Sequence, residues 1–253
     1  MRANKVRDIW AKGGGVINGW LAIANSFSAE IMAHEDFDSV TVDMQHGMVD
    51  FQAAIPMLQA LSTRDVTPLA RVPWNEPAFI MKILDAGAYG IICPMINTRE
   101  ECEKFVGACR YAPEGYRSFG PPRGLLYGGK DYAAKANETI IAMAMIETRQ
   151  AVANLDEIMT TPGLDGIYVG PNDLAISLGY PPNPEPEEPE VAEAVATILA
   201  AAKRNGVKAG IHCPHGPSAL DKIKKGFDFT TLANDARMLS AGAAVEIKAA
   251  RGQ

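Results

Sequence analysis

Ile141-Ala142-Met143-Ala144-Met145-Ile146-Glu147-Thr148, the amphipathic run Arg149–Met159, and then Gly166-Ile167-Tyr168-Val169-Gly170-Pro171-Asn172-Asp173 hold the pattern on which the fold turns. Two short runs, apolar at almost every position, flank a stretch with helical periodicity, and each apolar run ends in polar residues. A strand that is apolar throughout has both faces covered, the situation of a parallel sheet between layers of helix. The same alternation extends in both directions. Strands are expected at Val16–Ile23, Ser39–Asp43, Thr67–Arg71, Tyr89–Cys93, Ile141–Ile146, Gly166–Val169, Val207–His212 and Asp228–Thr231. Helical patterns lie between and after them at Ala29–Glu35, Phe51–Ser62, Ala78–Ala86, Arg99–Arg110, Arg149–Met159, Val191–Asn205 and Ala233–Ala249. Eight strands alternating with helices is the count of a closed (β/α)8 or TIM barrel, an α/β fold that takes roughly 250 residues. Periodicity does not report closure, so an open doubly wound sheet stays as the alternative.

The chain of 253 residues reads as one barrel domain spanning 1–253. Tyr180–Glu190 is proline-rich and acidic and resembles a linker, but too little chain follows it for a second α/β domain, so it reads as a loop. With 47% apolar and 21% charged residues the chain can build a core. A net charge of −6 argues against nucleic acid or an anionic membrane as the main partner. No apolar run approaches the ~20 residues of a membrane span, and the first residues do not read as a signal peptide. The expected location is the cytoplasm. Cys93, Cys102, Cys109 and Cys213 form no CxxC pair and read as reduced, partly buried thiols.

In a barrel of this kind catalytic groups project from the carboxyl ends of the strands. The second strand runs into Asp43-Met44-Gln45-His46-Gly47 and the third ends at Arg71. The fifth delivers Glu147, the sixth leads into Gly170-Pro171-Asn172-Asp173, and the seventh ends at His212. Singly, each has a structural alternative. Asp173 could cap a helix at Leu174–Leu178, Glu147 could answer a helix dipole, His46 could be a turn residue, and Arg71 a surface ion pair. Their convergence on one rim is harder to assign to structure. A pair of carboxylates with open positions suits a hard cation such as Mg²⁺ or Mn²⁺. His212-Cys213-Pro214-His215 lacks zinc-site spacing, and phosphate-loop, dinucleotide and nucleophile-elbow motifs are absent. Among the expected strands Lys208 is the one lysine, at the start of its strand and so at the opposite rim. An imine mechanism, which needs a lysine in the site, is therefore not expected.

Asp43-x-x-His46, Ala70-Arg71-Val72-Pro73, Asp85-x-Gly87, Ile92-x-Pro94, Arg110-Tyr111-x-Pro113-x-Gly115-x-Arg117, Glu147-Thr148-Arg149 and Gly170-Pro171-Asn172-Asp173-Leu174 occur in that order. This ordered set resembles the class II pyruvate aldolases of the HpcH/HpaI family, over nearly the whole chain. The resemblance implies a (β/α)8 barrel of the phosphoenolpyruvate/pyruvate superfamily. It also implies a divalent metal (Mg²⁺, Mn²⁺ or Co²⁺) and a homo-hexamer, a trimer of dimers in which the last helix packs on a neighbour. It makes Glu147 and Asp173 the metal ligands, Arg71 the contact to the keto oxygen, and His46 the acid/base, supported by Asp43. Asp85 would reach the neighbouring subunit's copy of that histidine. Trp20, Gln45 and His212 would face the substrate together with Arg71 and Gly170, Pro171, Asn172 and Asp173.

The activity so implied is reversible cleavage of 4-hydroxy-2-oxo acids to pyruvate or hydroxypyruvate and an aldehyde through an enolate. Alternatives are an acyl-CoA-type carbon–carbon lyase of the same superfamily and a non-catalytic oxo-acid-binding barrel. The chain departs from the family's usual pattern at Met44-Gln45, at Met145 and at His212-Cys213. The last departure is expected to favour small hydroxy- or oxo-aldehydes as acceptors, because an imidazole offers hydrogen bonds that an aliphatic side chain does not.

Overall fold

The computed structural model describes residues 1–253. The apolar runs pair side by side, all parallel and in chain order, and the last pairs with the first, so the sheet is a closed eight-stranded barrel rather than an open one. The strands are β1 Val16–Leu21, β2 Ser39–Asp43, β3 Thr67–Arg71, β4 Gly90–Cys93, β5 Ile141–Ile146, β6 Gly166–Val169, β7 Lys208–His212 and β8 Phe229–Thr231. β1 stops before the expected Ile23 because the N–H groups of Ala22 and Ile23 go to the Asp235 carboxylate instead of to a neighbouring strand.

The helical layer comprises α1 Lys5–Ala11, α2 Ser26–His34, α3 Phe51–Leu61, α4 Pro77–Asp85, α5 Arg99–Cys109, α6 Pro122–Gly128, α7 Tyr132–Thr139, α8 Arg149–Ala153, α9 Leu155–Met159, α10 Pro171–Leu178, α11 Pro189–Asn205, α12 Gly216–Lys225 and α13 Asp235–Ala250. The single helix expected over Arg149–Met159 is two, broken at Asn154, whose side-chain amide reaches across to the carbonyl of Asn97. α1 lies under the amino ends of the strands. Its Val6 and Trp10 enter the barrel-interior core, and Trp10 Nε1 donates to the carbonyl of Asp228 at 2.9 Å.

Two apolar layers hold this arrangement together. The larger lies between sheet and helices and the smaller fills the barrel, where Leu69, Ile92, Met143 and Phe229 sit below Trp20 and Tyr168. A buried polar layer crosses the interior as well. Ser39 and Thr41 donate to Asn18 Oδ1 at 2.7 and 3.1 Å, and Asn18 Nδ2 donates to Thr231 Oγ1 at 3.0 Å. All four cysteines are buried and unbridged. α13 differs from the other helices. Asp235 anchors its first turn to the loop after β1, and beyond that point the helix stands away from the barrel with Leu239, Val245 and Ile247 68%, 63% and 52% exposed. No helix is long and apolar enough to cross a membrane.

Candidate active site

The parallel register sets the site. Asp43 and Arg71 are neighbours across the β2–β3 pair, and Met145 and Tyr168 across β5–β6, so side chains near the strand ends are delivered side by side at the carboxyl rim. There they surround a cavity of about 120 Å³ lined by His46, Arg71, Glu147, Tyr168, Asp173 and His212 among others. A larger groove of about 790 Å³ lies on the outer face between α11 and α12, walled by alkyl side chains, lysines and the carboxylates of Glu185, Glu187 and Asp221, away from the carboxyl-rim groups.

Arg71 is held on both sides. Its Nε and Nη2 donate to Asp43 Oδ1 and Oδ2 at 2.8 and 2.7 Å, and its guanidinium lies 4.8 Å from the centre of the Trp20 ring. Trp20 Nε1 donates to Asp43 Oδ2 at 3.0 Å. Burial pushes the Asp43 carboxyl up, but the Arg71 hydrogen bonds and charge together with the Trp20 N–H outweigh it and hold the group below the usual carboxylate range. The ion pair expected as an alternative for Arg71 thus exists, within the site rather than on the surface. Asp43 Oδ1 also accepts from the backbone N–H groups of Gln45 and His46, at 3.1 and 3.3 Å. It therefore supports His46 through the main chain, not through the imidazole. Gly47 is required in this turn, since a Cβ there would collide with the carbonyl oxygen of Asp43.

Glu147 emerges from β5, and Thr148, not Glu147, caps the helix that follows. Its carboxylate is 2% exposed and accepts one bond on Oε1, from the N–H of Met95 at 2.9 Å. Met95 has φ +55°, a conformation that costs a side-chain-bearing residue energy and is kept where surroundings impose it. Burial raises the Glu147 carboxyl to about 7, the Asp173 charge adding to the rise and the Met95 bond and the Arg71 charge opposing it. Asp173 lies in the first turn of α10. That helix begins at Pro171 with Gly170 as its N-cap, so Asp173 is not the cap. A Cβ at Gly170 would collide with Glu147 Oε2, so glycine keeps the space beside that oxygen open.

The donor set fits a hard cation. Two carboxylates face one cavity, one of them raised by burial and by its neighbour's charge, and a divalent ion between them would relieve both effects. No three His, Cys, Asp or Glu side chains are placed to hold one ion together, so protein ligands would fill only part of the coordination shell. The rest would fall to water and substrate.

Several expected site residues lie elsewhere. Trp20 is 1% exposed and lies beneath Arg71 as its support, because the barrel interior claims its large ring. Gln45 does not line the cavity, and its Oε1 is buried without a hydrogen-bond partner. Asp85 ends α4, at the opposite end of the barrel from His46, and is ion-paired with Arg117 at 2.7 Å. Within one chain it cannot meet His46. Lys208, at the start of β7, pairs with Asp228 at 2.9 Å and is remote from the site. Tyr168 and Met95 were not legible as site residues. An aromatic within an apolar strand reads as core, and a methionine contributing its N–H carries no sequence signal.

The family model for HpcH/HpaI aldolase/citrate lyase matches residues 17–239. The chain belongs to this family. It is 47% identical over 248 residues to a hydroxypyruvate/pyruvate aldolase of Rhizorhabdus wittichii, covering 98% of this chain and 99% of the relative. It is 38% identical to a 5-keto-4-deoxy-D-glucarate aldolase of Citrobacter koseri, over 87% of this chain and 85% of that one. The crystal structure of a family member from Burkholderia cenocepacia superposes with a TM-score of 0.92 at 28% identity, covering 98% of this chain and all of the other. The chain is an aldolase, a carbon–carbon lyase on a TIM barrel.

Proposed function

We propose that this aldolase reversibly cleaves 4-hydroxy-2-oxo acids to pyruvate or hydroxypyruvate and an aldehyde, with Mg²⁺, Mn²⁺ or Co²⁺, as a cytoplasmic homo-hexamer. The observation that carries the reading is the pairing, in one cavity, of the Glu147 and Asp173 carboxylates with an Arg71 clamped by Asp43. Glu147 and Asp173 would hold the metal, and a divalent cation there supplies Lewis acidity toward a 2-oxo carboxylate.

The chain's own groups account for the rest. Asp43 occupies Nε and Nη2 of Arg71, which leaves Nη1 to donate to the oxygen on which enolate charge develops. Donors fixed in advance at developing charge supply the largest electrostatic share of such catalysis. At the start of α10, Pro171 lacks an N–H, so the amides of Asn172 and Asp173 are the first free donors for the substrate carboxylate, at the positive end of the helix. His46, exposed at the rim, takes the proton of the C4 hydroxyl as the C3–C4 bond breaks, and returns one in the reverse direction. Asp85 would join His46 only across a subunit boundary, and the apolar side chains on the projecting α13 supply a surface for such an assembly. The acyl-CoA alternative lacks support, since Arg71 is the one lysine or arginine lining the cavity.

The reading is tested by pyruvate release from 4-hydroxy-2-oxo acids and by aldol addition with pyruvate and hydroxypyruvate as donors, with and without chelator. Turnover that survives exhaustive chelation, or a borohydride-trapped pyruvate adduct on a lysine, would contradict it.

A further inference from the structure

Besides the carboxylates the cavity is lined by a second polar pair. Tyr168 in β6 and His212 at the end of β7 both line it, and Tyr168 Oη lies 3.0 Å from His212 Nδ1. Trp20 stacks on Tyr168 with ring centres 5.9 Å apart and meets His212 edge-on at 5.3 Å, so three rings hold one another in place. A bond between a phenol and an imidazole can run in either direction, and the direction determines which ring nitrogen carries the proton.

Donor and acceptor strength set that direction, since a phenol O–H is the better donor and a neutral imidazole nitrogen the better acceptor. The polar layer below is already paired within itself. Asn18 Oδ1 accepts from Ser39 and Thr41, so its Nδ2 is the end that donates to Thr231 Oγ1. Burial pushes the Tyr168 phenol well up, so it keeps its proton. It directs that proton to Nδ1. Burial, with the charge of Arg71, lowers His212 to about 4, so the imidazole is neutral and its one hydrogen sits on Nε2.

We propose that Tyr168 is a positioning residue that holds His212 as the Nε2–H tautomer, so that the cavity offers an incoming aldehyde one neutral N–H donor and favours acceptors with an oxygen beside the carbonyl, such as α-hydroxy aldehydes. This rests on the aldolase reading above. An apolar acceptor would cover this N–H without giving it a partner, which is where a polar site discriminates strongly.

Imidazole ¹⁵N spectra report the tautomer directly, and with four histidines in the chain the His212 signals are identified by their loss in His212→Gln. The wild-type ring is expected as Nε2–H, and Tyr168→Phe as a mixture. With pyruvate as donor, the ratio of kcat/KM for glycolaldehyde to that for propanal is expected to fall about tenfold in His212→Leu, the worth of one ordinary hydrogen bond. It should fall by less in Tyr168→Phe, and His212→Gln, whose amide restores an N–H, should retain more of it than His212→Leu. A wild-type Nδ1–H tautomer, or a ratio unchanged in His212→Leu and Tyr168→Phe, overturns the proposal. Exchange of the pyruvate methyl protons with solvent needs no aldehyde and checks the underlying reading. Its absence in the wild type overturns the aldolase reading and the selectivity with it, whereas exchange with an unchanged ratio overturns the selectivity alone.

Discussion

At the scale of single residues, burial separates two carboxylates that look equivalent in sequence. Asp43 is buried with a bidentate arginine and stays charged, while Glu147 is buried with one backbone N–H and a like-charged neighbour. The consequence for Glu147 is a stability that depends on pH when no cation is present. Its carboxyl rises from an ordinary 4.5 to about 7 on folding, so between those values the folded chain holds a proton that the unfolded chain has lost. Stability contributed by this group is therefore complete below about 4.5 and is lost as pH rises toward 7, by about 3 kcal/mol at most. Urea denaturation of chelated protein across that range should show this fall, and Glu147→Gln should flatten it. An equal slope in the variant would place the titration elsewhere. Arg71→Lys is expected to lower kcat for cleavage by about 10²-fold or more, because an ammonium cannot keep both bonds to Asp43 and still present a donor to the cavity. Steady-state kinetics decide this, and a near-normal kcat would assign Arg71 to structure.

At the scale of elements, α13 is the outlier. Its first residue is buried and bonded to the β1–α2 loop, yet its apolar side chains face solvent within one chain. Exposed apolar stripes of this kind mark surfaces that meet another chain. If the proposed hexamer forms through α13, removal of residues 238–253, which keeps Asp235, is expected to yield smaller species by light scattering, with loss of activity if Asp85 serves a neighbour's site. An active monomeric wild type would refute both the assembly and that role. The break between α8 and α9 was not legible because Arg149–Met159 keeps one helical periodicity throughout. A tertiary bond from Asn154 to Asn97 interrupts it. α1, α6, α7 and α12 are not among the expected helices; the first three have eight residues or fewer, too short for a helical period to stand out.

At the scale of the whole molecule, closure joins the rim to the core. The proposed metal ligands, Glu147 just after β5 and Asp173 in α10, sit on a closed barrel, so a cation that binds only the folded chain should stabilise all of it. Thermal unfolding of chelated protein is expected as one cooperative transition that shifts upward with Mn²⁺ or Co²⁺, and Glu147→Gln with Asp173→Asn should abolish the shift. Independent melting of the part after Glu190 would instead make the proline-rich segment a linker between domains.

Alternation of apolar and amphipathic runs determined the eight strands of a parallel α/β sheet, because strands covered on both faces record their burial in composition. The β8–β1 pairing that closes the barrel was decided by the tertiary structure. Polar residues at the ends of those runs determined most of the rim, since a parallel barrel delivers every strand end to the same face. Tertiary structure alone decided which of them touch. Arg71 could have been a surface cation, and it is a clamped donor because β2 and β3 pair in register. Trp20 became its support rather than a substrate contact, and Tyr168 became a wall of the site. Burial and register are properties of strands brought together, and no single stretch of chain carries them.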